Sequence, residues 1–284
     1  MNIKSLLTRT GVGILYIALV LVALLGGEML FASIFSIFLG IALYEYYRLI
    51  EDKDKPNQKS IIFNTAFGVG LFIIYCIYPR LLFVGALAFI YIAITALRAI
   101  LSKQNDSLQK GITNMFGQLY ITAPFILLAE MSGLHNFHSI NSGEQILFIF
   151  IFIWINDTFA YLTGSMIGKR KLLEHVSPKK TIEGFIGGLT FTVLAGFLIG
   201  VVSQGSIGFH NQLYWIVFAF IVSVFGTLGD LFESLIKRTY NTKDSGKILP
   251  GHGGMLDRID SLLFAIPAIY VYTKINYNIL VWLL

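Results

Sequence analysis

The chain has 284 residues, of which 56% are hydrophobic and 13% charged, and its formal net charge is +5. Soluble domains carry about 25% charged residues, so this composition, with a mean hydropathy of +0.73, excludes an ordinary soluble enzyme. A single cysteine, Cys76, excludes an intrachain disulfide and a cysteine metal cluster, and inside an apolar run it reads as a packed thiol.

Long apolar runs follow one another along the whole length. Nine are predicted to span a hydrocarbon core about 30 Å thick, at roughly 11–27, 29–48, 61–79, 81–101, 115–132, 145–165, 184–203, 212–236 and 261–282. Strands of a membrane barrel would be about ten residues long with alternating polarity, so a barrel is excluded. The fold class expected is an all-α polytopic integral membrane protein, a single membrane domain with about nine transmembrane helices. Lys4 and Arg9 precede the first run, and with no small-residue cleavage site after it the first span is expected to stay uncleaved. An N-terminus on the cytoplasmic side puts 19 of the 21 Lys and Arg residues in inside loops, as the positive-inside rule requires. The basic pI of 9.1 is then explained by a cytoplasmic face set against anionic headgroups and nucleotides, without nucleic acid.

Residues 1–135 read as scaffold spans with short loops. Glu45 and Arg48 are expected to pair within one turn, Glu130 to anchor an outer helix end, and 51–60 to form a solvated turn around Pro56. Polar chemistry gathers in the second half, 145–284, in three patches on the predicted cytoplasmic side. The first is Asp157, about two turns inside the sixth span. A carboxylate there has to face a polar cavity or a partner. The second is a basic loop, Lys169-Arg170-Lys171 followed by Ser177-Pro178-Lys179-Lys180-Thr181. Its end reads as a helix start, with Ser177 as cap and Pro178 at the first position, where free N–H groups meet anions.

The third patch covers 226–260. Gly226–Arg238 reads as a helix with Asp230, Ser234 and Lys237 on one face and Glu233 beside them. A polar loop with Lys243 follows. His252, Gly253 and Gly254 then form a turn that lets backbone approach a ligand. Asp257 and Asp260 sit three apart, with Arg258 between them. Carboxylates of this kind suit Mg²⁺, which binds one or two of them and keeps its other positions for water and phosphate. His135, His138, His175 and His210 have no partner pattern and read as loop residues.

The run Ser234-x-x-Lys237-Arg238-x4-Lys243-Asp244-x5-Pro250-x-His252-Gly253-Gly254-x-x-Asp257-Arg258-x-Asp260 resembles the signature of the phosphatidate cytidylyltransferases, or CDP-diacylglycerol synthases. Trp154-x-x-Asp157-x-x-Ala160-Tyr161 and Ser177-Pro-Lys-Lys-Thr-x-Glu-Gly184 are similar to that family's upstream motifs. The resemblance covers about 154–260. It implies transfer of CMP from CTP to phosphatidic acid in phospholipid biosynthesis, with Mg²⁺ and room for a second metal or monovalent cation. The lipid phosphate would be the nucleophile, so catalysis would be positioning and charge neutralisation. On this basis Asp230, Asp257 and Asp157 are expected at metal, with Asp260 as a further ligand or behind the ligands. Lys237, Arg238 and Arg258 are expected at the lipid phosphate or the pyrophosphate. Ser177, Lys179, Lys180 and Thr181 are expected at phosphates, with Ser234, Lys243, His252, Gly253 and Gly254 also at substrate. A multi-pass cytoplasmic-membrane enzyme with its site facing the cytosol, and a homodimer through 1–135, complete the expectation. A CTP-dependent polyprenol kinase and an ion-coupled transporter are the alternatives. The transporter would have polar motifs in both halves, whereas here they are confined to the second.

Overall fold

The computed structural model describes residues 3–51, 56–133, 142–202, 212–246, 248 and 253–283. His135, His138, His210 and His252 lie outside the described residues, while His175 is exposed. The elements are α1 (Ile3–Leu25), α2 (Glu28–Ile50), α3 (Gln58–Ile77), α4 (Leu81–Leu101), α5 (Ser107–Gly117), a π-helical turn (Gln118–Thr122), α6 (Ala123–Met131), α7 (Ser142–Ile167), β1 (Lys171–Leu173), β2 (Ser177–Thr181), α8 (Ile182–Val202), α9 (Gln212–Thr239) and α10 (Leu256–Leu283). Among the described residues seven helical runs are long and apolar enough to cross a membrane: α2, α3, α4, the continuous run Ser107–Met131, α7, α8 and α9. A shorter apolar helix, Thr10–Leu25, lies within α1. The fifth predicted span began at 115; its helix begins eight residues earlier, at Ser107.

The chain divides into two compact units, one made of 1–130 with 244–258 and the other of 131–243 with 259–284. In the first, α1 and α2 are separated only by Gly26 and Gly27. Gly27 has φ +90°, a backbone conformation that a side chain would strain. The core of this unit is aromatic. On α2, Phe31, Phe35 and Phe38 are buried together, and the Phe35 ring meets Phe125 of α6 edge-on at 6.1 Å. Several polar groups inside it are paired, as burial favours. Tyr46 and Tyr47 donate to the carbonyls of Thr113 and Asn114 at 3.1 and 2.9 Å. The Gln118 amide donates to the Tyr47 hydroxyl and to the Asn64 carbonyl, and Thr122 donates to the Gln118 carbonyl oxygen. The π-helical turn therefore coincides with a fully bonded buried amide.

The second unit is organised around α8. Gly184, Gly188, Thr192, Gly196 and Gly200 are its buried positions, every fourth residue. A Cβ at Gly188 would press on the Asn156 carbonyl of α7, and one at Gly196 would overlap the Trp215 carbonyl of α9. Lipid tails are as apolar as leucine, so helices in a bilayer associate through close packing of small residues. This stripe lets α7 and α9 approach α8 from two sides. A buried polar contact joins α7 to α9 directly: the Ser223 hydroxyl donates to Asn156 Oδ1 at 2.6 Å.

Candidate active site

The basic loop folds as a hairpin. Ser177–Thr181 is a strand, β2, antiparallel to β1 with Lys171 opposite Thr181 and Leu173 opposite Ser177. The sequence pattern predicted a helix with Ser177 as cap and Pro178 at its first position, and the helix starts four residues later, at Ile182. Thr181 performs the capping role, its hydroxyl accepting from the Gly184 N–H at 3.1 Å. Pro178 sits in a strand that pairs on one side only, where its missing N–H costs nothing. The Glu183 carboxylate, in the first turn of α8, accepts from the backbone N–H groups of Lys169 and Arg170 at 3.0 and 3.1 Å. The Ile182 N–H donates to the Arg170 carbonyl at 2.9 Å. The hairpin is thus clamped at its base to the start of α8, and Lys179 and Lys180 are carried on its returning strand.

That placement closes a cavity. Asp157 and Tyr161 of α7, Lys179, Lys180 and Thr181 of β2, and Asp230 of α9 all line one space of about 340 Å³. Lys180 forms an ion pair with Asp230 in its wall, both side chains half-buried. Asp260 lies close enough to feel the charges of Asp230, Glu233 and Asp157, so four carboxyl groups converge electrostatically in this unit. Among the described residues no three His, Cys, Asp or Glu side chains meet at metal-ligand spacing. The lining nevertheless suits a hard divalent cation with phosphate beside it: the carboxylate oxygens of Asp157 and Asp230, matched by the two cations Lys179 and Lys180.

The glycine turn is built in the first unit. Gly253 has φ +82°, and a Cβ there would press on the Asp257 carboxylate. Asp257 Oδ2 accepts from Gly254 N–H at 2.7 Å, the Ser245 hydroxyl at 2.9 Å and Ser245 N–H at 3.1 Å. Beneath it lies Glu45 of α2, 3% exposed. Its Oε2 accepts from Leu256 N–H at 2.9 Å and from the Ser245 hydroxyl at 3.2 Å. Ser245 therefore bridges two carboxylates, and a side chain at Gly254 would overlap Glu45.

The profile of the Cytidylyltransferase family matches residues 7–276. The chain belongs to the cytidylyltransferase family. Its relatives include a phosphatidate cytidylyltransferase of Staphylococcus saprophyticus, 38% identical over 189 residues that make up 66% of each chain. One of Staphylococcus aureus is 40% identical over 190 residues, again 66% of each chain. One of Bacillus subtilis is 45% identical over 141 residues, 48% of this chain and 51% of that one. The chain thus spans just under two thirds of the staphylococcal relatives it matches and about half of the Bacillus relative.

Asp157, Lys179, Lys180, Thr181 and Asp230 come together in the cavity, as their grouping in sequence led us to expect. Others are engaged elsewhere. Lys237, expected at phosphate, forms a nearly buried ion pair with Glu233 one turn back on α9. The Arg238 guanidinium donates to the carbonyls of Val176, in the hairpin turn, and Thr242, so it ties the end of α9 to the hairpin. Ser234 is buried, while Lys243 and Arg258 are exposed. Glu45 does not form the expected local pair with Arg48; it accepts from Ser245 and Leu256, some 200 residues away in sequence. It, Ser245 and Asn156 were missed as site residues. For Glu45 the available signal was a carboxylate inside an apolar run.

Gly229 precedes Asp230 on α9, and a Cβ there would overlap the Asp260 carbonyl oxygen of α10. Backbone cannot move aside as a flexible side chain can. Gly229→Ala should therefore cost about 1–3 kcal/mol of stability and lower activity, read as an earlier thermal unfolding transition in detergent. An unchanged transition would show that α9 and α10 do not need this close approach.

Proposed function

We propose that the chain is a phosphatidate cytidylyltransferase. A phosphate oxygen of phosphatidic acid attacks the α-phosphorus of CTP, the bond to the β-phosphate breaks, and CDP-diacylglycerol and pyrophosphate leave. The observation that carries this reading is the single cavity in which two lysines of the hairpin face Asp157 and Asp230 in a chain of this family. The diacyl substrate stays in the bilayer and CTP comes from the cytosol, so the site belongs at the boundary. The lysine distribution supports an N-terminus and catalytic face on the cytoplasmic side of a nine-span protein in the cytoplasmic membrane.

Lys179 and Lys180 would hold triphosphate oxygens as point charges, and Thr181 would keep the hairpin joined to α8. Asp157 and Asp230 would hold Mg²⁺, with Asp260 behind them and Asp257 presented by the glycine turn. Bound Mg²⁺ supplies charge neutralisation at the phosphates. No enzyme nucleophile is required, because the lipid provides it. Catalysis then rests on orientation and on compensating the charge that develops on pyrophosphate.

Labelled CTP incubated with purified protein and phosphatidic acid, a polyprenol or no lipid tests the reading. Pyrophosphate release that depends on phosphatidic acid and Mg²⁺ is expected. Release of CDP with the polyprenol would replace this reading with a lipid kinase. In the same assay Lys180→Ala should lower kcat/KM by about a hundredfold, since it removes a charge-compensating group and unmasks Asp230. Undiminished turnover would remove Lys180 from the site.

A further inference from the structure

The first unit contains two cavities that the reaction above does not use. They follow one another along the same three helices. On α3, residues 57–64 line the first and 67–71 the second. On α4 the first takes 95–102 and the second 81–92; on the α5–α6 run the first takes 107–114 and the second 115–127. The two spaces are therefore stacked, with one at the helix ends and the other deeper along the membrane-crossing faces.

Their chemistry differs sharply. The outer cavity, about 500 Å³, has Lys59, Arg98 and Lys110 in its wall and neither Asp nor Glu. Arg98 lies over the Phe63 ring at 4.7 Å, which fixes its direction. Lys110 pairs with Asp106 on the exposed rim at 2.7 Å, a kind of contact that is weak in water. Polar groups of its lining are preorganised: Asn64 accepts from the Tyr91 hydroxyl at 2.8 Å and donates to Ser60 Oγ at 3.3 Å. The inner cavity, about 300 Å³, is walled by side chains such as Phe67, Leu71, Val84, Ile92 and Ile126. Phe67 and Tyr91 stack at its head, ring centroids 4.4 Å apart. On the same stretches of α4 and α5, Leu97, Ile100, Leu101 and Leu108 are exposed, as on a surface that faces lipid.

A cationic chamber on top of an apolar one is the complement of a molecule with a phosphate at one end and a hydrocarbon chain at the other. A free phosphate would need the first chamber only. We propose that these cavities bind a membrane lipid of net negative charge, its headgroup phosphate held by Arg98, Lys59 and Lys110 and an acyl chain seated between α3, α4 and α5–α6. The site lies wholly in the first unit, shares no wall residue with the Asp157–Asp230 cavity, and stands whether or not the cytidylyltransferase reading holds.

Native mass spectrometry of the full chain, released from detergent with phosphatidylglycerol or phosphatidylcholine, tests it. Phosphatidylglycerol is neither substrate nor product of the reaction above, so the outcome is separate from it. The parent protein should retain phosphatidylglycerol in preference to phosphatidylcholine. Lys59→Gln with Arg98→Gln should weaken that retention about thirtyfold, the effect of two cations at an anionic surface. Gly85→Leu fills the inner cavity from a position with open space around it, keeps every charge, and should also lower retention. Equal retention of the two lipids by the parent overturns the proposal, as does unchanged retention in both variants. If excess inorganic phosphate strips the lipid and Gly85→Leu has no effect, the chamber takes free phosphate and the lipid site is refuted.

Discussion

Asp257→Asn should reduce Mg²⁺-dependent turnover by about three orders of magnitude while leaving folded protein in the membrane. The two halves of that expectation have separate causes. Asp257 Oδ2 accepts three hydrogen bonds from Ser245 and Gly254, and an asparagine carbonyl can accept the same three. The turn therefore keeps its shape, and the thermal transition should move by no more than about 1–2 kcal/mol, the difference between bonds to charged and neutral acceptors. What is lost is the negative charge, and a group that fixes a divalent ion or its phosphates is worth about 10³ in rate. Asp257→Ala should lose activity to the same extent and stability as well, because Gly254 and Ser245 are left without their acceptor. Phosphatidate-dependent pyrophosphate release and thermal unfolding, measured on the same preparations, separate the two effects. An Asn variant with full turnover would take Asp257 out of the chemistry and leave it a turn residue.

Glu45→Ala should be the most destabilising single change at the glycine turn. It removes the acceptor of the Leu256 N–H at the start of α10, takes one partner from Ser245 and leaves a void inside a tightly packed unit. An orphaned buried donor costs about 1–3 kcal/mol and the void adds to it, for a total of about 2–5 kcal/mol. Glu45→Gln keeps an oxygen for Leu256 and nearly all the volume, so it should recover most of the stability. Activity should follow the same order, parent, Gln, Ala, because Glu45 acts through the turn that presents Asp257. Glu45 is a positioning residue, and the readout particular to that role is rescue of kcat by the Gln variant at unchanged KM for CTP. If the Ala variant unfolds with the parent and turns over at the same rate, the clamp has no importance.

Much of this molecule was legible from local pattern. Apolar runs of spanning length disclose α2 to α4 and α7 to α9, because in a membrane helix length and hydropathy are the whole signal. Asp157, Lys180 and Asp230 stood out because charge is costly in such surroundings, and they line one cavity. Legibility failed where the deciding contact is remote or where two local rules compete. Ser177-Pro178 obeys the rules for a helix start, yet pairing with β1 holds it extended and passes the cap to Thr181. Lys237 and Glu233 stand at i, i+4, so their ion pair was readable from spacing alone; the motif drew attention to phosphate instead. Glu45 was legible only as a carboxylate inside an apolar run; its partners were not, because Ser245 and Leu256 reach it only through the fold.

The glycine stripe of α8 bears on how the protein is made in a cell. Its buried face offers backbone rather than side chains to α7 and α9, so the contact has no intermediate fit: the helices either seat at close range or remain apart as separately inserted segments. Substitutions at Gly196 and Gly200, the end of the stripe that does not line the Asp157–Asp230 cavity, would then be felt during biogenesis, as chains that reach the bilayer and are cleared by proteolysis before a cavity has formed. The molecules that escape clearance would be as competent as the parent. Variation at that end of the stripe would be recorded as abundance, and surveys that score only turnover per cell would mistake it for chemistry.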